Sequence, residues 1–354
     1  MNGVSDNVEL VSAKIKAEDS FEAVNNLFYE RGWTDGLPII PPTAERVRQM
    51  ISGCTRNPQE MIAKLPPKMG SATIEKIAIN AVMAGCLPEY LPVLITAVEA
   101  VADDKFKLLG VQATTHPCGV LMVINGPIAK KLGINSGGNA FGPGSRPNAA
   151  IGRALSLILL NIGGGIPGQI DKSTQGSPCK YTYCVAENEP ANPWQPFHVE
   201  NGYKLEDSTV TVFAAEGPHN INDHDSTNGH GILKTIASTM ATAGNNNLVF
   251  FSGEPVLMLG PEHAAAIAEL GLSKQQVKEY IYEHARIPLE KISEGHIQYR
   301  AKQPERYGEF VQSEMLPIAR PENIVIMVLG GAGRHSCFIP TFGLNNMVTK
   351  IIKL

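Results

Sequence analysis

The segment EGPHNINDHDSTNGHG, residues 216–231, concentrates histidines and carboxylates within sixteen positions. His219, His224 and His230 are three of the nine histidines in the chain, and Asp223 directly precedes His224. Imidazole titrates near neutral pH and a neighbouring carboxylate orients it, so these residue types suit acid–base catalysis or a divalent metal. His219 and His224 are five residues apart, so they would ligate a metal across a loop and not from one helix face. A turn rich in Asn and Asp that caps the next helix would have the same composition.

Four apolar stretches are each followed by a short turn that holds a histidine. These histidines are His116, His219, His263 and His335. In open α/β sheets, ligands bind at the carboxyl ends of strands, where such turns can meet in one crevice. We therefore predict that the catalytic residues are His116, His219, His224 and His335, with Asp223 orienting one imidazole. His263 lies at a predicted helix start, where it can act as a cap instead.

Glycine-rich loops supply the predicted substrate site. The loop SGGNAFGPGSRPN (136–148) precedes a predicted helix, and glycines let a backbone approach a ligand while a helix N-terminus favours anions. A crowded crossing of two chain segments is the alternative explanation. The predicted substrate-binding residues are Asn135, Gly137, Gly138, Arg146 and Arg334.

No nucleotide-binding motif accompanies these loops. The first lacks the pattern GxxxxGK[ST]. The second, GGAGRHSC (330–337), has Ser336 in place of a third glycine, and only 17 residues follow it. Neither ATP nor NAD binding is expected, and a divalent metal is the one cofactor that the histidines suggest.

Thiol chemistry is the competing hypothesis. Cys118 follows His116 by two residues, and Cys337 follows His335 by two. A histidine neighbour can lower the pKa of a thiol and make it nucleophilic, which makes Cys118 a candidate catalytic residue. Cysteine more often packs as a small buried apolar residue, and the six cysteines contain no CxxC pair.

The composition is that of a globular protein. Hydrophobic residues make up 43% of the 354 residues, enough for a sizeable core, and the net charge of −4 argues against nucleic-acid binding. Met1 leads into a polar stretch, and the apolar runs are too short to span a bilayer. We expect a cytoplasmic homo-oligomer that binds a small molecule and no membrane.

Apolar periodicity predicts an α/β fold with a mixed sheet and helices on both faces. We expect residues 1–105 to form a mainly helical region packed on an α/β core of 106–354, either as one continuous domain or with two similar lobes. The predicted strands are Phe106–Ala113, Val120–Ile124, Thr209–Ala215, Asn247–Ser252, Val256–Gly260 and Asn323–Leu329. The predicted helices are Ser20–Arg31, Ala44–Ile51, Ser71–Ala84, Tyr90–Ala102, Ala149–Ile162, Gly231–Ala243, Ala264–Leu270 and Ser273–His284, with Asn148 as an N-cap.

Several long motifs resemble one family. They are ERGWTDGLPIIPPT (30–43), INAVMAGCLPEYLPVL (79–94), GVQATTHPCGVLMVINGP (110–127), LGINSGGNAFGPG (132–144) and STVTVFAAEGPHNINDH (208–224). Together they are similar to the UGSC family of (seleno)proteins. That family is named for a Sec- or Cys-Gly-Ser-Cys motif, which this chain lacks; Arg334-His335-Ser336-Cys337 does not match it. The resemblance implies a partner, a separate protein that carries the thiol module, and it does not imply redox chemistry in this chain.

Three functions are compatible with these patterns. The first is an enzyme that acts on a small polar or anionic organic molecule by hydrolytic or lyase-type acid–base chemistry, with or without a metal. The second is a thiol-dependent enzyme, or a subunit of one, that works with a separate module. The third is a non-catalytic subunit that binds a small molecule.

Overall fold

A computed structural model describes residues 9–311 and 313–353. The α-helices are α1 Phe21–Glu30, α2 Ala44–Ile51, α3 Ile74–Met83, α4 Leu91–Val101, α5 Leu108–Gln112, α6 Pro127–Lys131, α7 Arg146–Ile158, α8 Phe197–Glu200, α9 Gly229–Met240, α10 Asn246–Phe250, α11 Pro261–Ala268, α12 Lys274–His284, α13 Glu294–Ala301 and α14 Pro304–Tyr307. The strands are β1 Met61–Leu65, β2 Gly70–Thr73, β3 Gly119–Asn125, β4 Cys184–Ala186, β5 Thr209–Ala215, β6 His219–Asn222, β7 Val256–Leu259, β8 Arg286–Pro288, β9 Met315–Pro317, β10 Val325–Val328, β11 His335–Ile339 and β12 Val348–Ile351.

Two four-stranded mixed sheets form the centre of the protein, so the predicted α/β class is confirmed. The order in sheet A is β12-β5-β3-β4, and in sheet B it is β6-β11-β7-β10. Alternate residues of each strand enter different cores. Leu121 and Val123 of β3 pack between the two sheets, and Met122 and Ile124 pack under helices. The same alternation in β7 and β10 gives four layers, helix–sheet–sheet–helix, with α3, α4 and α7 over sheet A and α9, α11 and α12 over sheet B.

The two sheets repeat one topology. In each, a parallel pair (β3 with β4, β7 with β10) is followed by an antiparallel strand (β5, β11) and then an antiparallel edge strand (β12, β6). The edge strands are exchanged: the chain leaves β5 in sheet A to form β6 in sheet B, and leaves β11 in sheet B to form β12 in sheet A. The sheets are therefore tied together at two neighbouring crossings, where Glu216 N donates to Pro340 O at 2.8 Å.

A strand–Gly–Pro–helix turn recurs in the two halves. Gly126-Pro127 follows β3, and Gly260-Pro261 follows β7. A Cβ atom on Gly126 would lie 2.0 Å from Asp207 O, and one on Gly260 would lie 2.0 Å from His335 O. Asp207 lies just before β5, and His335 begins β11. Only glycine leaves room for these neighbouring segments to pass so close to the ends of β3 and β7.

The helical N-terminal region supplies part of these layers. Helix α4 packs against β5 and β12, so it belongs to the core of sheet A, and β1 and β2 form a small antiparallel hairpin. Thr73 caps α3, so the predicted helix Ser71–Ala84 begins three residues later than expected. Among the residues described, no helix has both the length and the apolar character that a membrane crossing requires.

Two predicted strands are helices, and one predicted cap is wrong. Phe106–Ala113 contains α5, and Asn247–Ser252 overlaps α10, because Asn245 accepts a hydrogen bond from Leu248 N and starts a helix. A short apolar run does not by itself distinguish a strand from a buried helix. Helix α7 is capped by Ser145 and not by Asn148, whose side chain bonds to the glycine-rich loop instead.

Candidate functional site

The predicted catalytic histidines do not share one crevice. They fall into two groups at opposite ends of β11: His335 begins this strand, whereas His116 binds Glu216, which pairs with Pro340 just beyond the strand's end. Five residues of extended chain separate these points, about 17 Å. His219 lies opposite Phe338, which packs on the helix side of sheet B, so strand alternation places His219 on the other face from His335. His224 contacts His335 instead, so the structure does not bring together the predicted metal pair His219 and His224.

The first group, which we name the crossover site, consists of His116, Glu216, Asn246 and Phe342. His116 Nε2 lies 2.7 Å from Glu216 Oε1, and the imidazole stacks on Phe342 with ring centroids 5.0 Å apart. Asn246 Nδ2 also approaches Oε1, at 3.4 Å. A carboxylate only accepts hydrogen bonds, so Nε2 carries a proton and the ring is held in one orientation.

The other ring nitrogen of His116 is one of eleven buried side-chain polar atoms without a partner in the part of the chain that the structure describes. Nδ1 is buried and has no hydrogen-bond partner among the residues that the structure describes. The side chain of His116 is 10% exposed and that of Glu216 is 27% exposed. A buried polar atom without a partner costs about 1–3 kcal/mol, so a free buried imidazole nitrogen is a candidate for a functional role.

Two further titratable side chains, Tyr183 and Cys179, border the crossover site. Tyr183 Oη donates to Glu216 O at 2.9 Å, which fixes the main chain at the crossing. Burial raises the pKa of Tyr183 well above its usual value, so the hydroxyl stays protonated. Cys179 is half-buried, and burial raises the pKa of its thiol as well.

A cavity of about 640 Å³ has Cys118 and Gly119 in its lining, which follow His116 by two and three residues in the chain. Segment 165–181 forms much of its wall, and Thr174 of that segment donates to Thr115 O, directly before His116. Lys180 is paired with Asp171 at 2.6 Å within the lining. The cavity therefore has a mixed lining, with this ion pair and several hydroxyl groups beside apolar side chains such as Leu159 and Leu160.

Cys118 connects the cavity and the crossover site but is not an activated thiol. It is 1% exposed, and burial raises its pKa to about 12, although the charge of Lys180 acts in the opposite direction. The charges of Asp171 and Glu216 also act on this thiol, so both sites are within electrostatic reach of it. Burial likewise raises the pKa of Cys337 to about 12. Neither thiol forms the histidine-activated thiolate that the sequence spacing suggested.

The second group is the pair His224 and His335, which we name the imidazole pair. The two Nε2 atoms are 3.1 Å apart, and both side chains are exposed. The carboxylate of Asp223 bonds to Ser226 and Thr235, so it does not orient an imidazole as predicted. Burial acts to raise the pKa of Asp223, but these hydrogen bonds outweigh it and hold the pKa below its usual value.

The predicted substrate-binding residues mostly stabilise their own loops. Asn135 bonds to Gly137 N and Gly138 O, and Arg146 donates to Gly85 O on the neighbouring helix–helix connection. A Cβ atom on Gly331 would lie 2.9 Å from Gly138, so the two glycine-rich loops are in contact. Arg334 donates to two carbonyls in the turn after β6. The crowded crossing therefore accounts for Gly331, whereas a Cβ atom on Gly137 or Gly138 would meet no atom closer than 3.6 Å.

His263 is buried and bridges three elements. Its Nε2 lies 3.1 Å from Asp223 O and its Nδ1 lies 2.8 Å from Ser336 Oγ, which accepts from Gly260 N. A carbonyl only accepts, so Nε2 donates and the neutral ring accepts at Nδ1. Burial lowers the pKa of His263, which keeps the imidazole neutral.

We expect this buried histidine to make the protein less stable in mild acid. The pKa of His263 in the folded protein lies below its value of about 6.5 in the unfolded chain. The neutral imidazole therefore contributes fully to the stability of the fold above about pH 6.5, and this contribution is lost as the pH falls through the folded pKa. The melting temperature of His263→Gln should be lower at pH 7.5 but fall less steeply towards pH 5 than that of the wild type. His230→Gln, at an exposed position nearby, is the matched control. Equal slopes for wild type and His263→Gln would contradict the assignment.

Sequence reasoning missed most of the crossover site. Glu216 was part of the first motif and directly follows a strand, so its position was a usable signal. Asn246, Phe342, Tyr183 and Lys180 come from separate segments, and no local pattern links them to His116. Within residues 9–311 and 313–353, no cluster of three or more His, Cys, Asp or Glu side chains has the arrangement of a metal site. Comparisons with protein-family models, with curated proteins and with solved structures find no match.

Proposed function

We propose that this chain is an enzyme that carries out acid–base chemistry on a small anionic organic molecule. His116 and Glu216 supply the acid–base pair, and the adjoining cavity receives the substrate. The observation that carries the proposal is His116 itself: one nitrogen is fixed by a carboxylate at 2.7 Å, and the other is buried without a partner. That combination leaves a lone pair free to accept a proton in a site from which water is largely excluded.

The proton transfer needs only these two side chains. His116 Nδ1 takes a proton from a substrate carbon in an elimination, or from an attacking water in a hydrolysis, and the imidazolium that forms is stabilised by the Glu216 carboxylate through Nε2–H. The same nitrogen then gives that proton to the leaving group, which completes either reaction. Phe342 holds the ring plane by stacking, so little orientation is lost between the two steps.

The cavity offers hydrogen-bond partners to a polar substrate, because Ser173, Thr174 and Ser177 contribute hydroxyl groups to the lining. An anionic group of the substrate would bind Lys180 by replacing Asp171, with which Lys180 is paired. Because Nδ1 is covered, a substrate must displace part of that cover to reach it. Segment 165–181 is attached next to His116 through Thr174, and the proposal requires that this segment moves to open the path.

Proton exchange is the most direct test, because it detects acid–base chemistry without a known product. The protein in D₂O is given a mixture of 2-oxo acids, 2-hydroxy acids, amides and esters of small carboxylic acids, followed by proton NMR. We expect the wild type to exchange or convert at least one compound, and His116→Gln to do so about 10²–10⁴-fold more slowly. His219 is exposed and lies on the helix side of sheet B, so His219→Gln should retain the wild-type rate.

Other outcomes separate the remaining hypotheses. Activity that survives in His116→Gln and disappears on alkylation of the thiols would favour the thiol enzyme over the acid–base enzyme. Saturable binding of one compound without any exchange or conversion would favour the binding subunit. Activity that appears only with a separate Cys-Gly-Ser-Cys protein would support the partner that the UGSC resemblance implies.

A further inference from the structure

We infer that the imidazole pair, His224 and His335, is a binding site for one divalent transition-metal ion such as Zn²⁺, separate from the crossover site. The two Nε2 atoms lie 3.1 Å apart on exposed side chains. With a zinc–nitrogen distance of about 2.05 Å, this spacing subtends an angle of about 100° at the ion, near the tetrahedral value. The remaining coordination positions would hold water or a small ligand.

The orientation of the rings fits a chelate better than a simple hydrogen bond. In a straight N–H···N bond, both rings lie along the line between the two nitrogens. The distance between the ring centroids is then the N–N distance plus one ring radius on each side. The centroids are only 4.8 Å apart and the planes cross at 76°, so the rings are inclined to that line. Inclined lone pairs can meet at a third point, where a metal ion would lie.

The supporting residues hold the pair in place. Arg334, directly before His335, donates to the carbonyls of His224 and Ser226 and so fastens the turn to the strand. The Asp223 carboxylate holds the same turn through Ser226 and Thr235. A ligand pair that is already ordered loses little side-chain entropy when the ion binds.

The charges near the pair also suit a cation. Asp223 and Asp225 flank His224 in the turn after β6, and Glu262 of α11 accepts from Gly333 N, two residues before His335. The guanidinium of Arg334 is occupied by two main-chain carbonyls. The negative side chains outnumber the positive one, so the local field does not oppose a divalent ion.

Calorimetric titration with Zn²⁺ tests the site. We expect one ion per chain in the wild type, affinity at least about tenfold weaker in His224→Asn and in His335→Asn, and unchanged affinity in His219→Asn. Circular dichroism checks that each variant is folded. Equal affinity in the wild type and the two pair variants, or no binding to the wild type, would overturn the inference.

Cobalt distinguishes imidazole from thiolate ligation, because Cys54, Cys179 and Cys337 are partly exposed free thiols. The Co²⁺ complex should show weak visible bands and no thiolate charge-transfer band. A strong charge-transfer band would place the metal on cysteine and refute the site. The proton-exchange activity of His116 is a separate measurement, so failure of one proposal leaves the other standing.

Discussion

Replacing Glu216 with glutamine is expected to lower the turnover of the reacting substrate by about 10²–10⁴-fold while the protein stays folded. The carboxylate only accepts, so it requires the proton of His116 on Nε2. A glutamine amide can also donate, which permits the other tautomer and places the proton on Nδ1. The nitrogen that should accept the substrate proton is then blocked, and no carboxylate stabilises the imidazolium.

Steady-state kinetics and thermal unfolding check this prediction. Glu216 acts through His116 and so is a positioning residue; kcat should fall while KM changes little. The fold should survive, because the crossing uses the main chain of Glu216: its N–H bonds to Pro340 and its carbonyl to Tyr183. Glu206→Gln, at an exposed carboxylate, is the matched control. An unchanged kcat in Glu216→Gln would refute the acid–base pair.

Gly126→Ala is expected to cost about 3–5 kcal/mol of unfolding free energy, a large fraction of the stability of a typical domain. Gly126 has φ of +82°, and a Cβ atom there would lie 2.0 Å from Asp207 O. The clash is with backbone, so no side chain can rotate away. Either β3 or the segment entering β5 must shift, which disturbs the strand pairing of sheet A.

Gly133→Ala is the comparison variant, because it has a positive φ without a steric clash. Gly133 also has a positive φ, +65°, but no atom lies within 4 Å of a Cβ placed there. This variant should lose only the conformational part, about 1–2 kcal/mol. Denaturant unfolding of both variants measures the difference. Equal losses would show that the close approach at Gly126 is not what requires glycine.

Local sequence signals predicted elements whose boundaries have a local chemical cause. Thr43 and Ser273 each accept a hydrogen bond at a helix N-terminus. The helix after Thr43 begins at Ala44 as predicted, and the predicted helix Ser273–His284 begins one residue later, at Lys274, because Ser273 is its cap. The alternation from Thr209 to Ala215 predicted β5 with its observed bounds. Short apolar runs failed, as at Asn247–Ser252, because a buried helix and a buried strand have the same composition.

The sequence by itself determined the α/β class, the capped helices and the residue types available for catalysis, because caps, periodicity and side-chain chemistry are properties of neighbouring residues. Tertiary structure decided the exchange of β6 and β12 between sheets, and with it which histidines meet. His116 faces Glu216 a hundred positions away, and His224 meets His335 across 111 positions. Those pairings follow from strand order and register, which depend on packing between distant segments and leave no local pattern in the chain.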